Sequence, residues 1–112
     1  EYHTDADNLD LISRDGLKGA LTALTSIVDA FEFGLKNRIS VLGEPQLGRR
    51  NLYPTLSNKN SLLTDVRMRT NIIAYLDGKH DPFDISIITG TPLGSVVQEL
   101  VTLREHGLIA AD

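Results

Sequence analysis

Residues 88–109 read ITGTPLGSVVQELVTLREHGLI, and this stretch decides the fold. Thr91 and Pro92 predict a helix start, because a hydroxyl can cap the first turn and proline fits its first position. Apolar residues then recur every three or four positions, which predicts one buried helix face; they are Leu93, Val96, Val97, Leu100 and Leu103. Gly107 predicts the end of the helix, because glycine readily adopts the conformation found just past a helix C-terminus.

Shorter signals on either side predict the rest of this region. Asp81 and Pro82 indicate a second capped start, for a short helix with Phe83, Ile87 and Ile88 that ends at Thr89-Gly90. An earlier helix is predicted from Val66, Ile72, Ile73 and Leu76, and it ends at Asp77-Gly78. Leu108-Ile109-Ala110-Ala111 is expected to leave as a strand. Three helices, a tight turn before the third and a strand after it predict a winged helix-turn-helix domain over residues 63–112.

A long helix is predicted near the N-terminus. Six large apolar residues follow one another at steps of four and three, which places them on one helix face; they are Leu17, Leu21, Leu24, Val28, Phe31 and Leu35. Ser13 can cap the first turn, Asp15 suits the positive end of the helix dipole, and Gly34 is a natural stop. We therefore expect a helix from about Arg14 to Phe33.

Residues 36–62 are predicted to connect these two parts. Ile39-Ser40-Val41-Leu42 is a short β-prone run, and Pro45, Pro54 and the polar cluster at 57–61 are typical of loops. The predicted fold class is therefore mainly α with a little β: a long N-terminal helix in residues 1–35, an extended connector, and a three-helix winged helix-turn-helix domain.

Composition narrows the class of protein. The 112 residues carry a net charge of −4, with 41% hydrophobic and 23% charged residues, which is typical of a globular chain. There is no cysteine, so disulfides and thiolate metal ligands are excluded. No apolar run reaches the roughly 20 residues that a membrane span needs. Because the N-terminus has neither an initiator methionine nor a signal peptide, we expect a piece of a longer protein, located in the cytoplasm.

Charge argues against nucleic acid as a partner. Residues 63–112 carry four basic and seven acidic side chains, and DNA affinity depends largely on phosphate neutralisation by Lys and Arg. The last helix is predicted to expose one Arg against two Glu, in the set Gly94, Ser95, Gln98, Glu99, Thr102, Arg104, Glu105 and His106. Arg67, Arg69 and Lys79 are scattered. A DNA-binding regulator domain, with Ser95 and Gln98 reading base edges, stays as the alternative, and a homo-oligomerisation module is the third hypothesis.

The N-terminal string carries a resemblance to a known family. One histidine, His3, among Asp5, Asp7 and Asp10 does not by its spacing define a metal site. The wider pattern, YHTDAD at 2–7 followed by LISRDGL at 11–17 and the apolar helix, resembles the end of zinc aminopeptidases of the M28 type. EPQLGRR at 44–50 and LYPT at 52–55, with a C-terminal winged helix, is similar to a bacterial and archaeal subgroup of aminopeptidase-like proteins associated with polysaccharide biosynthesis.

That resemblance implies a metal role for one residue. His3 would be the last protein ligand of a two-zinc site, with Thr4 and Asp7 shaping its loop, and residues 1–35 would be the end of the peptidase domain. In the complete parent, zinc would polarise the scissile carbonyl and activate a water molecule. The other ligands and the acidic general base lie outside this chain. The fragment alone is therefore expected to hold no zinc and to have no catalytic or cofactor-binding residue, and the remainder of the peptidase domain is its expected partner.

Arg49 and Arg50 leave two interpretations open. They are a solvated or interface pair in the connector, or one of them faces an anionic group of a substrate near the peptidase cleft. The sequence does not identify a substrate-binding residue.

Overall fold

The computed structural model describes residues 4–5, 8–43, 45–53 and 59–110, and of residues 59–63 it describes the helical backbone alone. Within these ranges the chain forms four α-helices: α1 (Arg14–Phe33), α2 (Lys59–Ala74), α3 (Pro82–Thr89) and α4 (Leu93–Glu105). Short 3₁₀ helices span Leu9–Leu11 and Leu47–Arg50. The predicted, mainly helical architecture is confirmed.

Both ends of α1 and α3 and the C-terminal end of α4 follow local signals in the sequence. α2 does not: it begins at Lys59, inside the polar cluster that was predicted to be a loop, and it ends at Ala74, before the predicted stop at Asp77-Gly78. The Ser13 hydroxyl accepts the Gly16 N–H at 3.0 Å, and α1 stops at Gly34, as predicted. In α3 the Asp81 carboxylate accepts the Asp84 N–H while Asp84 accepts the Asp81 N–H, which satisfies two donors that the helix itself leaves open. α4 ends as predicted, with Gly107 in the left-handed conformation at φ +69°.

The start of α4 differs from the prediction by one residue. Pro92 occupies the cap position and provides no side-chain cap, so the helix begins at Leu93. Thr91 is used differently: its N–H donates to the Ser86 carbonyl at 3.2 Å, and its carbonyl accepts the Ser86 hydroxyl at 2.7 Å. Thr91 therefore closes the turn between α3 and α4 and does not cap α4.

One core joins α2, α3, α4 and the connector. α4 contributes the predicted face, with Val96, Leu100 and Leu103 fully buried. Against it lie buried apolar residues of the connector, α2, α3 and the segment after α4, which are Leu47, Leu52, Ile72, Leu76, Ile85, Leu108 and Ile109; Val97 of α4 and Ala30 and Phe33 of α1 belong to the same cluster. In α3 the anchor is Ile85, whereas Ile87 is largely exposed. Residues 36–53 thus belong partly to the packed body, because the connector supplies Leu47 and Leu52.

The predicted strands are not confirmed. In the described part of the chain, β structure consists of two isolated antiparallel bridges, Arg38 with Asp77 and Ile39 with Ile109. The Ile39 N–H donates to the Leu76 carbonyl at 2.9 Å and the Ser40 N–H to the Leu108 carbonyl at 2.8 Å. Residues 41–43 then bend away, with Gly43 at φ +93°, so the pairing does not extend into a ladder.

α1 packs along α4 with its small residues. Ala30 is fully buried, and Gly94 of α4 approaches so closely that a β-carbon there would stand 2.8 Å from the Ser26 Oγ. At the far end the Arg104 guanidinium lies over the Phe33 ring, 3.5 Å from its centre, and donates to the Phe33 carbonyl at 2.7 Å. These contacts fix α1 to the winged helix.

The large apolar residues of α1 point the other way. Leu17, Leu21, Leu24, Val28 and Phe31 are between 54% and 66% exposed, and we call these five residues the α1 stripe. Within this set Phe31 reaches α3, with its ring centre 5.4 Å from that of Phe83. The stripe is therefore one helix face, as predicted, but residues 36–110 leave most of it uncovered.

Candidate functional site

The structure does not test the predicted metal ligand. His3 and Asp7 lie outside the described residues, while Thr4 and Asp5 are described and exposed. Among the residues that the structure describes, no three His, Cys, Asp or Glu side chains come together in a way that could hold a metal ion. The zinc role of His3 therefore stays a prediction.

One predicted member of the exposed α4 face is in fact buried. Glu99 is 6% exposed, because it lies on the flank of α4 that faces α2. Its carboxylate pairs with Arg69, which donates from Nε and, at 3.1 Å, from Nη2; Arg69 also donates from Nη1 to the Leu52 carbonyl. Glu99 and Arg69 thus neutralise each other and join α2, α4 and the connector. In the sequence, Arg69 and Glu99 are opposite charges that each border an apolar helix face, which is compatible with a buried ion pair. Because they are 30 positions apart, the sequence does not show that they meet.

The other flank of α4 is covered by α1. Val97 and Val101 line a crevice between the two helices, together with Asp29 and Glu32 of α1. Arg104 turns onto Phe33, as described above. The outward surface that remains on α4 carries Ser95, Gln98, Thr102, Glu105 and His106, so in the described part of the chain it lacks a cluster of Lys or Arg.

A polar groove opens beside this surface, between the connector, α2 and α4. Its volume is about 500 Å³, which is within the usual range of small-molecule sites. The Arg69–Glu99 pair forms its floor, and Asn51, Tyr53, Gln98 and Thr102 are among the residues on its walls. Asn51 adopts a left-handed backbone at φ +54°, and the Tyr53 ring lies against Gly48, where a β-carbon would stand 3.4 Å away. No pattern in the sequence predicts this groove.

The two connector arginines are not equivalent. Arg50 donates from Nε to the His106 carbonyl at 3.3 Å, so it links the connector to the end of α4. Arg49 is exposed. Neither arrangement tests whether one of them faces a substrate.

Asp77 organises the turn between α2 and α3. Its Oδ1 accepts the N–H of Lys79 at 2.8 Å, the N–H of His80 at 3.2 Å and contacts His80 Nδ1 at 3.1 Å. These bonds favour the carboxylate and lower the pKa of Asp77 from 3.8 to about 2, the Lys79 N–H contributing most. The cluster stabilises a turn and is not a site of chemistry.

No helix in the described ranges combines the length and apolar character needed to cross a membrane.

Comparison with known proteins gives two matches. A protein from Clostridium acetobutylicum named as a polysaccharide biosynthesis protein with an aminopeptidase-like domain is 28% identical over 94 residues, covering 80% of this chain. This chain spans only 21% of that relative's length. No solved structure matches the chain significantly. The model of the winged helix-turn-helix family matches residues 35–111, which is well over half of the chain. Together with the arrangement of α2, α3 and α4, this match shows that the chain belongs to the winged helix-turn-helix family.

Proposed function

We propose that this chain is the C-terminal part of a zinc-dependent, aminopeptidase-like protein of the cytoplasm that is linked to polysaccharide biosynthesis. Its winged helix acts there as an accessory or interaction module. The observation that carries the proposal is the two-sided α1: its small residues are fixed to α4, while the α1 stripe faces solvent. The C. acetobutylicum relative supports the proposal, because its name joins polysaccharide biosynthesis with an aminopeptidase-like domain. That relative is also about five times as long as the segment that matches this chain.

The exposed stripe indicates a large missing contact. Leaving a Leu, Val or Phe side chain in water costs roughly 1.5 to 3 kcal/mol relative to full burial, and the stripe has five such residues. A contiguous apolar face of this kind marks an interaction surface. In our proposal the remainder of the peptidase domain covers it, so that α1 is shared between the peptidase body and the winged helix.

Zinc enters only with the complete protein. A catalytic zinc site takes about three protein ligands, and His3 would supply one imidazole. The remaining ligands and the general base would come from the rest of the peptidase domain. Zinc would provide Lewis-acid activation of water and carbonyl there. The role of residues 8–110 in this proposal is to hold the loop before α1 in place through the α1–α4 contact.

The surface of α4 supports an interaction role over DNA binding. A helix that enters the major groove needs its outer face free and phosphate contacts nearby. In this chain α1 lies along one flank of α4, Asp29 and Glu32 border the outer face, and Arg69 is neutralised by Glu99. In a fluorescence-anisotropy titration at low salt, we expect no binding of duplex DNA by this chain. Tight binding that weakens steeply with salt would favour the regulator alternative.

The zinc proposal is tested by metal analysis of the complete protein. His3→Ala should lower the zinc content, because it removes one ligand of the site. His80→Ala is the matched control: His80 contacts Asp77 in the turn after α2, and its loss should leave zinc unchanged. Unchanged zinc in His3→Ala would contradict the assignment.

The stripe is tested by one substitution in two settings. In the complete protein Leu21→Gln should cost about 2 kcal/mol of stability, because it places an amide in a buried contact. In the 112-residue chain the same change should be nearly neutral, since Leu21 is 66% exposed. Leu42→Gln, at a fully exposed connector residue, should be neutral in both. A concentration-dependent dimer of the 112-residue chain that Leu21→Gln abolishes would instead support the homo-oligomer hypothesis.

A further inference from the structure

The polar groove between the connector, α2 and α4 is formed in advance of any ligand. Arg69 holds the Glu99 carboxylate and the Leu52 carbonyl together, so the floor and one wall are fixed by the same side chain. Arg50, two residues before Leu52 in the connector, donates to the His106 carbonyl and so links the same segment to the end of α4. A groove of about 500 Å³ whose walls are already joined by hydrogen bonds lowers the cost of ordering a site on binding.

The chemistry of the groove is polar and close to neutral. Within the described part of the chain, the side chains of Asn51, Ser95 and Gln98 have no hydrogen-bond partner, and all three line the groove. The charges of Arg69 and Glu99 cancel, and among the described lining residues this leaves Asp65 as an unpaired acid, with His106 as a further titratable side chain on the walls. This combination disfavours phosphates and other anions, and its few apolar residues disfavour a lipid chain.

One aromatic side chain, Tyr53, lines the groove beside these polar groups. The Tyr53 ring lies with one side towards Gly48, and the residue is 54% exposed. An aromatic ring beside amide and hydroxyl groups offers both an apolar surface and hydrogen bonds. A neutral sugar needs both, because a pyranose has an apolar C–H face and a rim of hydroxyl groups.

We propose that this groove binds a neutral sugar residue, with the pyranose on Tyr53 and its hydroxyl groups bonded to Asn51, Ser95 and Gln98. The proposal deepens the proposed link to polysaccharide chemistry and rests on it for the choice of ligand. It does not require zinc, peptidase activity or the remainder of the parent. The left-handed backbone of Asn51 caps the 3₁₀ helix Leu47–Arg50, a position that asparagine often takes, and it fixes where the Asn51 side chain begins.

The test is an NMR titration of the uniformly labelled 112-residue chain with glucose, galactose, N-acetylglucosamine, maltose and, as a charged counterpart, glucuronate. We expect saturable shifts with at least one neutral sugar, confined to amides near Asn51, Tyr53, Arg69 and Gln98. Each lost hydrogen bond is worth about 1 kcal/mol, so Gln98→Ala should weaken binding by up to about tenfold. Tyr53→Ala should weaken it at least as much.

Gln46→Ala is the matched control, since Gln46 lies in the connector and does not line the groove. It should leave sugar binding unchanged. The absence of saturable shifts with every neutral sugar, binding of glucuronate alone, or equal binding by Gln98→Ala and Gln46→Ala would overturn the proposal. None of these results would bear on the zinc content of the complete protein, so the two proposals fail separately.

Discussion

Replacing Glu99 by glutamine removes the charge that neutralises Arg69 and keeps the shape of the side chain. In the native chain the two side chains are 7% and 14% exposed, so water reaches neither of them freely. Arg69 retains the Leu52 carbonyl as an acceptor but loses its counter-charge. Glu99→Gln therefore leaves a nearly buried guanidinium without a carboxylate.

The magnitude follows from the burial. Removing one member of a buried pair typically costs about 3 to 5 kcal/mol, because the other charge stays desolvated. We expect about 3 kcal/mol for Glu99→Gln, at the lower end, because Arg69 keeps a neutral acceptor and some exposure to water. Replacing both residues by apolar ones, Arg69→Met with Glu99→Leu, should recover most of this loss, since no charge is then buried.

The assay is urea unfolding followed by far-UV circular dichroism, with Glu105→Gln as the control on the exposed side of α4. Amide exchange provides a second readout: the Leu52 amide, which donates to the Leu47 carbonyl, should exchange faster in Glu99→Gln. A cost below about 1 kcal/mol, no larger than that of Glu105→Gln, would refute the idea that this pair joins the connector to the helices.

Two further predictions concern other contacts. Phe33→Ala should cost about 3 to 5 kcal/mol and speed amide exchange in α1 more than in α2, because Phe33 and Arg104 hold α1 on α4; equal acceleration in both helices would contradict this role. Asp77 has a pKa lowered from 3.8 to about 2, so its contribution to stability is present above pH 3.8 and is lost as the pH falls through about 2. As the pH falls from 3.8 to about 2, the free energy of unfolding of Asp77→Asn should therefore decrease less than that of the native chain. Equal decreases in acid-unfolding measurements would contradict the stabilising role of the Asp77 carboxylate in this turn.

Local signals predicted most of the fold. Ser13 and Asp81 cap their helices, and Gly34, Gly90 and Gly107 end theirs, because caps and stops depend only on residues within one helical turn. The buried face of α4 was also predicted, from the spacing of its apolar residues. These features place α1, α3 and α4 within a residue of where they are found.

Features that depend on distant neighbours were not predictable. Glu99 was expected on the exposed face of α4, and only the position of Arg69 on α2 explains its burial. The predicted strands did not form either. Ile39 and Ile109 do pair, but the bend at residues 41–43 ends the pairing after this bridge. The role predicted for His3 came from a family resemblance and not from its neighbours in the sequence. The groove beside Tyr53 could not be predicted, because it forms only where the connector, α2 and α4 meet.

The packing face of α1 differs from the one that its apolar pattern predicts. Its large stripe residues suggested the face that packs, yet that face is exposed, and Ser26, Ala30 and Phe33 make the contact with α4. Small residues allow close approach of two helices, which a hydrophobicity pattern does not reveal. The uncovered stripe then becomes the main reason to expect a further body next to this chain.

The most direct test of the central claim is the intact mass of the native protein isolated from its own cells, with its zinc content measured in the same sample. We predict a mass several times the 12.3 kDa of this chain, with bound zinc. A native protein of about 12.3 kDa without zinc would contradict it, and would leave a free-standing winged helix whose α1 stripe must have another partner.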